Sequence, residues 1–338
     1  MSDEPLLKVE NLHVHFATRR GLLASRRRMG QVKAVDGVSF EVASGEAFGI
    51  VGESGSGKST IAASVMRLLR PTAGRILIDG LDITHLSEAA LRPLRREVQM
   101  VFQDTKSSLN PYLTVEQIVR EPLITYGLPS DRVRILEILA RVGLGEAHID
   151  RYSNQLSGGQ RQRIGIARAI ALSPRLIVAD EPVSALDVSI QAQILNLLRS
   201  LRKELGLGFV LISHDISVVS YFCQRVGVMY LGRLVEQGPT ASVMRQPSHP
   251  YTKALISAVP GRFGARAERR ILLRGEAPDP ISPPRGCAFH TRCPVKMGSI
   301  CETFPPPYHR TAGGGWAACH LLSSQSQIAE SQAGKVMI

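Results

Sequence analysis

The beginning of the chain has the alternation of a half-buried antiparallel β unit. Apolar and polar residues alternate over 7–16 and again over 32–42, which predicts two strands with one face buried and the other exposed. The segment 17–31 between them is rich in arginine, and we interpret it as a solvated loop, with contact to lipid headgroups as the alternative. Residues 43–46 then form a turn.

Short uninterrupted apolar runs further along predict the buried strands of a parallel sheet, because such strands are covered on both faces. These runs are 47–51, 98–102, 176–179 and 209–213. Helical periodicity predicts helices at 61–69 and 188–205. It also dominates the stretch between about 104 and 173, with periods at 114–126, 131–142 and 158–172. We therefore expect an α/β core with a helical insert.

A glycine-rich loop follows the first buried run. Residues 52–60 fit the pattern GxxxxGK[ST] between a predicted strand and a predicted helix, which is the context that a phosphate-binding loop needs. The expected phosphate contacts come from Gly52, Ser54, Gly55, Gly57, Lys58, Ser59 and Thr60. Lys58 would reach the β- and γ-phosphates, and the Ser59 hydroxyl would ligate Mg²⁺. The alternative is a glycine-rich turn that fits the pattern by chance.

Polar residues stand where the predicted strands end. Gln103 could ligate Mg²⁺ or the attacking water, and Asp180 could hold Mg²⁺ through water. Glu181 is the candidate base that polarises the water, and His214 is placed to contact the γ-phosphate. Ligands of doubly wound sheets bind at these ends. The alternative interpretations are an ordinary polar strand end and a structural acid pair.

A second anion site is predicted at 156–160, where Leu-Ser-Gly-Gly-Gln opens a helix. Ser157, Gly159 and Gln160 would present N–H groups and a hydroxyl to a phosphate. The phosphates bound at Lys58 already have the glycine loop, which leaves the second anion site without a phosphate of its own. Two copies packed head to tail would supply a phosphate to each site. Phe16, at the end of the first strand, could stack on an adenine ring or simply pack.

Bulk composition narrows the class of protein. The net charge of +12 would suit nucleic acid, an anionic membrane face or a basic proteome, but no aromatic-rich basic module is present, so no nucleic-acid partner is expected. The apolar runs are far shorter than the ~18 residues of a membrane span. The N-terminus has no secretory or transit pattern. We expect a chain that does not cross a bilayer alone and lies in the cytosol.

Four cysteines lie in a proline-rich segment near the C-terminus: Cys287, Cys293, Cys301 and Cys319. Little regular structure is expected there, and so small a segment needs a staple. A reducing cytosol disfavours disulfides, which leaves metal ligation. Zinc sites usually have paired CxxC spacings, so wide spacings favour an iron–sulfur cluster, with zinc or unligated thiols as alternatives. His290 and His320 are alternative ligands, and Cys223 is interpreted as a core residue.

Taken together, these residues resemble the ATP-binding subunit of an ABC transporter. The matching motifs are Walker A (52–60), the Q-loop (Gln103), the signature (156–160), Walker B (176–181), the D-loop (184–187, with Asp187) and the switch histidine (His214). The resemblance implies a P-loop NTPase fold of the ABC ATPase type, with a RecA-like core, an antiparallel β subdomain and a helical subdomain. It also implies that two such domains close on two ATP molecules, with each signature facing the other's phosphate loop, and that Asp187 is a nucleotide contact.

The stretches 182–193 and 248–255 and the cysteine tail are similar to the dipeptide and oligopeptide importers. The intact signature resembles the second, F-type ATPase of such a pair. The resemblance implies two transmembrane permease subunits, a sister ATPase in a heterodimer, and an extracytoplasmic peptide-binding protein. It places the chain at the periphery of the cytoplasmic face of the cell (inner) membrane, and it implies a [4Fe-4S] cluster at the four cysteines.

We therefore expect an ABC ATPase domain at 1–240, with a helical subdomain at about 104–173, and a C-terminal extension at 241–338. The expected function is ATP hydrolysis that drives import of dipeptides or oligopeptides. The alternatives are a soluble ABC-type ATPase that assembles iron–sulfur clusters, and an importer of nickel, glutathione or a sugar.

Overall fold

The computed structural model of the chain describes residues 4–18, 30–259 and 270–323. Most of the arginine-rich loop expected at 17–31 therefore lies outside the described residues. The strands are β1 (Leu7–Thr18), β2 (Gly30–Val42), β3 (Ala47–Val51), β4 (Ala73–Ile78), β5 (Leu81–Asp82), β6 (Val98–Val101), β7 (Leu176–Asp180), β8 (Gly208–Ser213), β9 (Arg225–Tyr230), β10 (Arg233–Pro239), β11 (Tyr308–Arg310) and β12 (Trp316–Ala318).

Helices connect these strands and form most of the middle of the chain. They are α1 (Lys58–Val65), α2 (Glu88–Glu97), α3 (Thr105–Ser108), α4 (Val115–Thr125), α5 (Arg132–Arg141), α6 (Glu146–Ile149), α7 (Gly158–Ile170), α8 (Val188–Leu205), α9 (Ile216–Phe222), α10 (Thr240–Arg245), α11 (Pro250–Ser257) and α12 (Ser299–Thr303). In the described ranges, no helix is both long enough and apolar enough to span a membrane.

The main sheet has the strand order β11-β12-β10-β9-β3-β8-β7-β6. Its strands β9, β3, β8, β7 and β6 are parallel, and every residue of β3, β7 and β8 is buried. This confirms the expectation drawn from their uninterrupted apolar runs. The carboxyl ends of β3, β7 and β8 meet at one edge, which is where the polar residues of the predicted site follow.

The predicted antiparallel unit is a second sheet of order β2-β1-β4-β5. Its buried residues share one core with alternate residues of the main sheet. Phe40 of β2 stacks on Phe48 of β3, with ring centroids 4.9 Å apart and planes 4° from parallel. The small sheet thus covers one face of the large one.

The helical insert is confirmed, and its helices begin at capping residues that the sequence supplies. Thr114 caps α4, Asp131 caps α5 and Ser157 caps α7, each by accepting a backbone N–H with its side-chain oxygen. The helix expected at 61–69 ends early, at Val65, because Arg67 takes a left-handed backbone (φ 52°) and its guanidinium donates to the Ile83 carbonyl at 2.9 Å.

The C-terminal extension adds the strands β12 and β11 to one edge of the main sheet. β12 pairs antiparallel with β10, with Ala317 opposite Glu236 and Trp316 opposite Gln237. Between Pro280 and Leu322 the regular elements are only three to five residues long, in keeping with the proline content. The domain boundary near 240 stays a prediction, since the sheet runs across it.

Candidate nucleotide-binding site

The glycine loop between β3 and α1 has the backbone that its glycines allow. Gly55 and Gly57 have left-handed φ angles of 76° and 105°. A Cβ on Gly57 would lie 2.0 Å from the Ala34 carbonyl oxygen, and one on Gly52 would lie 2.1 Å from that of Met229. Gly52 and Gly57 are required by close backbone approach, and Gly57 is the N-cap residue of α1.

Lys58 is buried beneath this loop, with 5% of its surface exposed. Its ammonium donates to the carbonyl oxygens of Gly52 at 2.9 Å and Glu53 at 2.8 Å. Burial lowers the pKa of Lys58, and the nearby carboxylates of Glu181, Asp180 and Glu53 oppose that shift. The charge is held in place within reach of any phosphate in the loop.

Ser59 and Asp180 come together as the sequence predicts for magnesium ligands. The Ser59 hydroxyl donates to Asp180 Oδ1 at 3.1 Å. Burial raises the pKa of Asp180, the Ser59 hydroxyl and Lys58 oppose this shift, and the negative charge of Glu181 adds to it. A hydroxyl and a buried carboxylate side by side are oxygen ligands of the type that Mg²⁺ prefers. The site therefore fits that ion.

Glu181 is held between the other two predicted catalytic residues. Gln103 Nε2 donates to Glu181 Oε2 at 3.0 Å, and His214 Nδ1 lies 3.0 Å from Glu181 Oε1. Glu181 has a left-handed backbone, with φ 46°, and its N–H donates to the Ile212 carbonyl at 2.9 Å. Such backbone strain in a non-glycine residue is concentrated at functional sites. The contact engages the amide nitrogen of Gln103, whereas its oxygen is the atom expected to ligate magnesium.

Most of these residues border one cleft of about 520 Å³, which we call the phosphate cleft; Gly52 and Asp180 are not part of its lining. Its lining comprises Val32, Lys33, Ala34, Ser54, Gly55, Gly57, Lys58, Ser59, Thr60, Gln103, Glu181, His214, Leu231, Gly232 and Pro280. Sequence reasoning missed Lys33, Gly232 and Pro280, since no local motif marks them. Phe16 is not in this lining, but it is 39% exposed and lies opposite Val32 in the β1–β2 register, so its stacking role stays a prediction.

The signature residues lie outside the phosphate cleft of their own chain. Ser157 Oγ accepts the Gln160 N–H at 3.2 Å, and Gln160 Oε1 accepts the Ser157 N–H at 3.0 Å. Because Oγ accepts in this capping box, the hydroxyl proton can still be donated. Asp187 is the N-cap residue of α8, but its side chain makes no capping bond, and it is exposed. A second chain could therefore reach all of these residues, and their nucleotide roles stay predictions.

Gly159 fixes the signature helix α7 against α8. A Cβ on Gly159 would lie 2.7 Å from Ile190 Cγ2, a distance that real Cβ atoms essentially never show. Gly158 is less constrained, at 3.3 Å from Leu186. The glycine at 159 is thus required by helix packing, in addition to the anion binding inferred from the sequence.

The four tail cysteines line one cavity, with His249, His290 and His320 around it. Burial raises the pKa of Cys287 to about 11, and it also raises the pKa of Cys293 and Cys319. Both expected alternative ligands bond to backbone, since His290 Nδ1 lies 2.9 Å from the Cys287 carbonyl oxygen and His320 Nε2 lies 3.0 Å from that of Phe304. Cys301 and Cys319 are buried and Cys287 and Cys293 are half-buried, and the convergence of the four thiols fits a metal centre. Cys223 is a buried core residue, as predicted.

Another group of metal-ligating side chains, His13, His15 and Asp36, was not predicted. His13 Nδ1 lies 3.2 Å from Asp36 Oδ1. The guanidinium of Arg233 donates twice to Asp36 Oδ2, at 2.6 and 3.1 Å, and Lys33 Nζ lies 3.9 Å from the same oxygen. Two neighbouring cationic side chains already neutralise this carboxylate, so these three side chains do not favour binding of a metal ion.

A mixed sheet with a phosphate loop, an acid pair at the next strand end and a histidine beyond it defines a P-loop nucleotide-binding domain. Family models give the class its name: residues 35–184 match the model described as ABC transporter, and residues 235–301 match the one described as Oligopeptide/dipeptide transporter, C-terminal region. The chain belongs to the ABC transporter family, in the branch that carries this oligopeptide/dipeptide-type C-terminal region.

Similar proteins span nearly the whole chain. The oligopeptide transport ATP-binding protein AppF of Bacillus subtilis is 50% identical, over 95% of this chain and 99% of AppF. The probable peptide ABC transporter ATP-binding protein y4tS of Sinorhizobium fredii is also 50% identical, over 95% of this chain and 91% of that protein. These matches confirm the resemblance inferred from the motifs.

Among solved structures, the dimeric post-hydrolysis state of the ATP-binding cassette MJ0796, bound to ADP and Pi, is similar. It has a TM-score of 0.61 and 33% identity, over 69% of this chain and 98% of that one. CbiO1 from Clostridium perfringens, part of the ABC transporter complex cbiONQ, has a TM-score of 0.62 and 32% identity, over 72% of this chain and 92% of that one. The ABC ATPase fold is confirmed.

Glu181→Gln is expected to abolish ATP hydrolysis while ATP binding persists. The amide cannot take a proton from water, and loss of a general base typically costs at least about 100-fold in rate. Phosphate release and equilibrium nucleotide binding are measured in parallel. Glu204→Gln, an exposed glutamate of α8, is the matched control. Hydrolysis by the Glu181 variant at the normal rate would show that this carboxylate is not the base.

Gly159→Ala is expected to lower hydrolysis roughly tenfold or more, because the new methyl group must push α7 from Ile190 at a cost of about 1–3 kcal/mol. Gly145→Ala is the control, since φ is extended there and a Cβ would meet nothing within 4 Å. Combining Gly159→Ala with Ile190→Ala makes room and should restore activity. Steady-state ATPase assays measure the activity of each variant, and thermal unfolding measures its stability. A fully active Gly159→Ala protein would contradict the packing argument.

Proposed function

We propose that the chain is the ATP-hydrolysing subunit of an importer of dipeptides and oligopeptides. The observation that carries this proposal is the combination, in one chain, of an assembled hydrolytic site and the oligopeptide/dipeptide-type C-terminal region. Relatives at 50% identity carry oligopeptide and peptide transport in their names. The C-terminal match argues against a soluble ATPase for cluster assembly and favours peptides over nickel, glutathione or sugars.

In the reaction, the glycine loop and Lys58 hold the phosphates, and Ser59 and Asp180 hold Mg²⁺, which neutralises phosphate charge when bound. Glu181 takes a proton from the attacking water. At the same time the oxygen of that water forms a bond to the γ-phosphorus, and the bond between the γ-phosphorus and the β–γ bridging oxygen breaks. Gln103 and His214 keep the Glu181 carboxylate oriented by their two contacts at 3.0 Å. The left-handed backbone of Glu181 places this carboxylate at the cleft.

The active unit is proposed to be a pair of ATPase subunits. Ser157, Gly159 and Gln160 lie away from the phosphate cleft of the same chain, so each signature serves the cleft of its partner. A sister ATPase makes this pair a heterodimer, which docks on two transmembrane permeases that receive peptide from an extracytoplasmic binding protein. The subunit then lies at the cytoplasmic face of the inner membrane, as a peripheral protein.

The test is affinity purification of the tagged full-length chain from solubilised membranes, followed by identification of its partners. Two permeases and a second ATPase are expected. The purified complex, reconstituted in vesicles with its binding protein, should then take up labelled di- and oligopeptides on addition of ATP. Uptake of nickel, glutathione or a sugar in place of peptides would show that peptides are not the cargo. A soluble scaffold protein in place of permeases would overturn the transporter proposal.

We further propose that Cys287, Cys293, Cys301 and Cys319 ligate a [4Fe-4S] cluster. The support is the cavity that the four cysteines line, together with the separation of their sulfur atoms. A tetrahedral zinc ion would hold its sulfur ligands about 3.8 Å apart, given Zn–S bonds of about 2.3 Å. No three of these four described thiols lie within 4.8 Å of one another. A cluster, which has an iron atom at each ligand, holds its thiolates farther apart.

Protein purified without oxygen is expected to contain about four iron atoms per chain and to absorb broadly in the visible range. Cys301→Ser should lose most of this iron. Cys223→Ala, at the buried cysteine away from the cavity, is the matched control and should keep it. About one zinc per chain without iron would establish the alternative metal. Absence of both metals from the wild-type protein would refute metal ligation.

A further inference from the structure

Glu53, the second residue of the glycine loop, is bonded through all of its polar groups. Its N–H donates to the Tyr251 hydroxyl at 2.9 Å, and its carbonyl oxygen accepts the Lys58 ammonium at 2.8 Å. Its carboxylate oxygens accept from Arg292 at 2.8 and 3.1 Å. Two of these three partners come from the C-terminal extension. Glu53 therefore connects the phosphate-binding lysine to that extension.

The ion pair between Arg292 and Glu53 has the geometry of a strong one. Two parallel guanidinium N–H groups meet the two carboxylate oxygens, an arrangement that fixes direction as well as distance. The Arg292 side chain is only 9% exposed and that of Glu53 is 31% exposed, so solvent screens the pair less than a surface pair. Arg292 also directly precedes Cys293, one of the four thiols at the cavity.

Aromatic packing ties the cysteine segment to the same place. Phe289, between Cys287 and Cys293, contacts Tyr230 and Tyr251 with ring centroids 5.2 and 5.4 Å apart. Tyr230 and Tyr251 contact each other at 4.7 Å, and all three rings are fully buried. Such packing leaves little room for independent movement. The segment that bears Arg292 is thus held in a fixed position under the glycine loop.

We propose that the cysteine-bearing segment positions the phosphate loop through Arg292, so that the state of the four-cysteine site is coupled to ATP affinity. Arg292 is a positioning residue: it touches no reacting atom and acts through Glu53 on the loop and on Lys58. The proposal rests on the proposed function, in which this loop binds ATP and the four thiols hold a metal centre.

The expected consequence follows from charge and from geometry. Without Arg292, the Glu53 carboxylate would stand unpaired beside a loop that binds a highly negative triphosphate, and the two would repel each other. The loop would also lose one of its two connections to the extension, with only the Glu53 N–H to Tyr251 bond left, and Lys58 donates to the carbonyl oxygen of the same Glu53. Both effects weaken nucleotide binding, and neither requires a change at the catalytic carboxylate.

Coupling of this kind is reciprocal. If the occupied four-cysteine site favours the loop arrangement that binds ATP, then bound ATP must retard loss of the metal by the same free energy. The rate at which a chelator removes the metal therefore reports on the Arg292–Glu53 contact, which we call the latch, without any measurement of ATPase activity. This readout separates a positioning role from a loss of catalysis.

The experiment measures equilibrium binding of a fluorescent ATP analogue with Mg²⁺ to the full chain purified without oxygen. All proteins carry Glu181→Gln to prevent turnover. Arg292→Gln is expected to weaken binding on the order of tenfold, and Arg292→Lys less, since the lysine keeps the charge but loses the fork. Adding Glu53→Gln to Arg292→Gln should restore part of the affinity by removing the unpaired carboxylate. Arg274→Gln, at an exposed arginine of the extension, is the matched control and should bind normally.

Cys301→Ser removes a thiol from the cavity but leaves Arg292 and Glu53 in place. Loss of metal from this variant should weaken ATP binding in the same direction as Arg292→Gln. In the protein without the Arg292 change, saturating analogue should slow metal release to a chelator several-fold, and this protection should disappear in Arg292→Gln. Thermal unfolding verifies that each variant is folded, and Glu53→Gln breaks the same pair from the other side should Arg292→Gln fail to fold.

The outcomes separate the latch from the function on which it rests. If the unchanged chain does not bind the analogue, the proposed function itself fails. If it binds, and Arg292→Gln binds equally well, the latch is refuted. If Cys301→Ser loses its metal and keeps full affinity, the coupling between the thiols and the loop is refuted. The proposal is supported if Arg292→Gln binds the analogue weakly, if adding Glu53→Gln restores part of the affinity, and if bound analogue slows release of the metal.

Discussion

The site depends on keeping an ammonium group charged where little water reaches it. Lys58 is almost fully buried, and its pKa is lowered for that reason. The carbonyls of Gly52 and Glu53 accept its protons, while Asp180 and Glu181 supply the opposite charge. The strand order β3-β8-β7 brings these groups to one edge of the sheet. Buried charges of both signs therefore compensate each other around a space suited to phosphate and a divalent cation.

Features set by local spacing could be predicted from the sequence. The helix expected at 188–205 is found over Val188–Leu205, because Asp187 begins it and Gly206, with φ 65°, ends it. Gln103, Glu181 and His214 follow strands of the parallel sheet, of which β7 and β8 are fully buried and β6 is half-buried at its two middle residues, so the sheet had to place them at one edge. Their mutual contacts need the strands to be neighbours, which the sequence pattern does not specify but the family resemblance implies.

Features that join distant parts of the chain could not be predicted. Arg292 and Glu53 are far apart in sequence, and an arginine in a proline-rich segment gives no sign of its partner. Pro280 reaches the phosphate cleft and β12 joins β10 for reasons of tertiary packing alone. The sequence predicted a shared site for the four cysteines, and the structure brings them to one cavity through contacts that their spacing along the chain does not specify.

The glycine loop and the signature are held in place by different contacts. The glycine loop is fixed from within the subunit, by Met229, Ala34 and the contacts of Glu53. The signature is fixed by helix packing, since Gly159 lies against Ile190 of α8 and Asp187 begins that same helix. A shift of α8 would therefore move the signature and Asp187 together, whereas the glycine loop would respond to the C-terminal extension, which contacts it through Glu53. In the proposed pair of subunits, the two halves of each ATP site would thus depend on different parts of their own subunits, and closure and nucleotide affinity would be regulated at separate places.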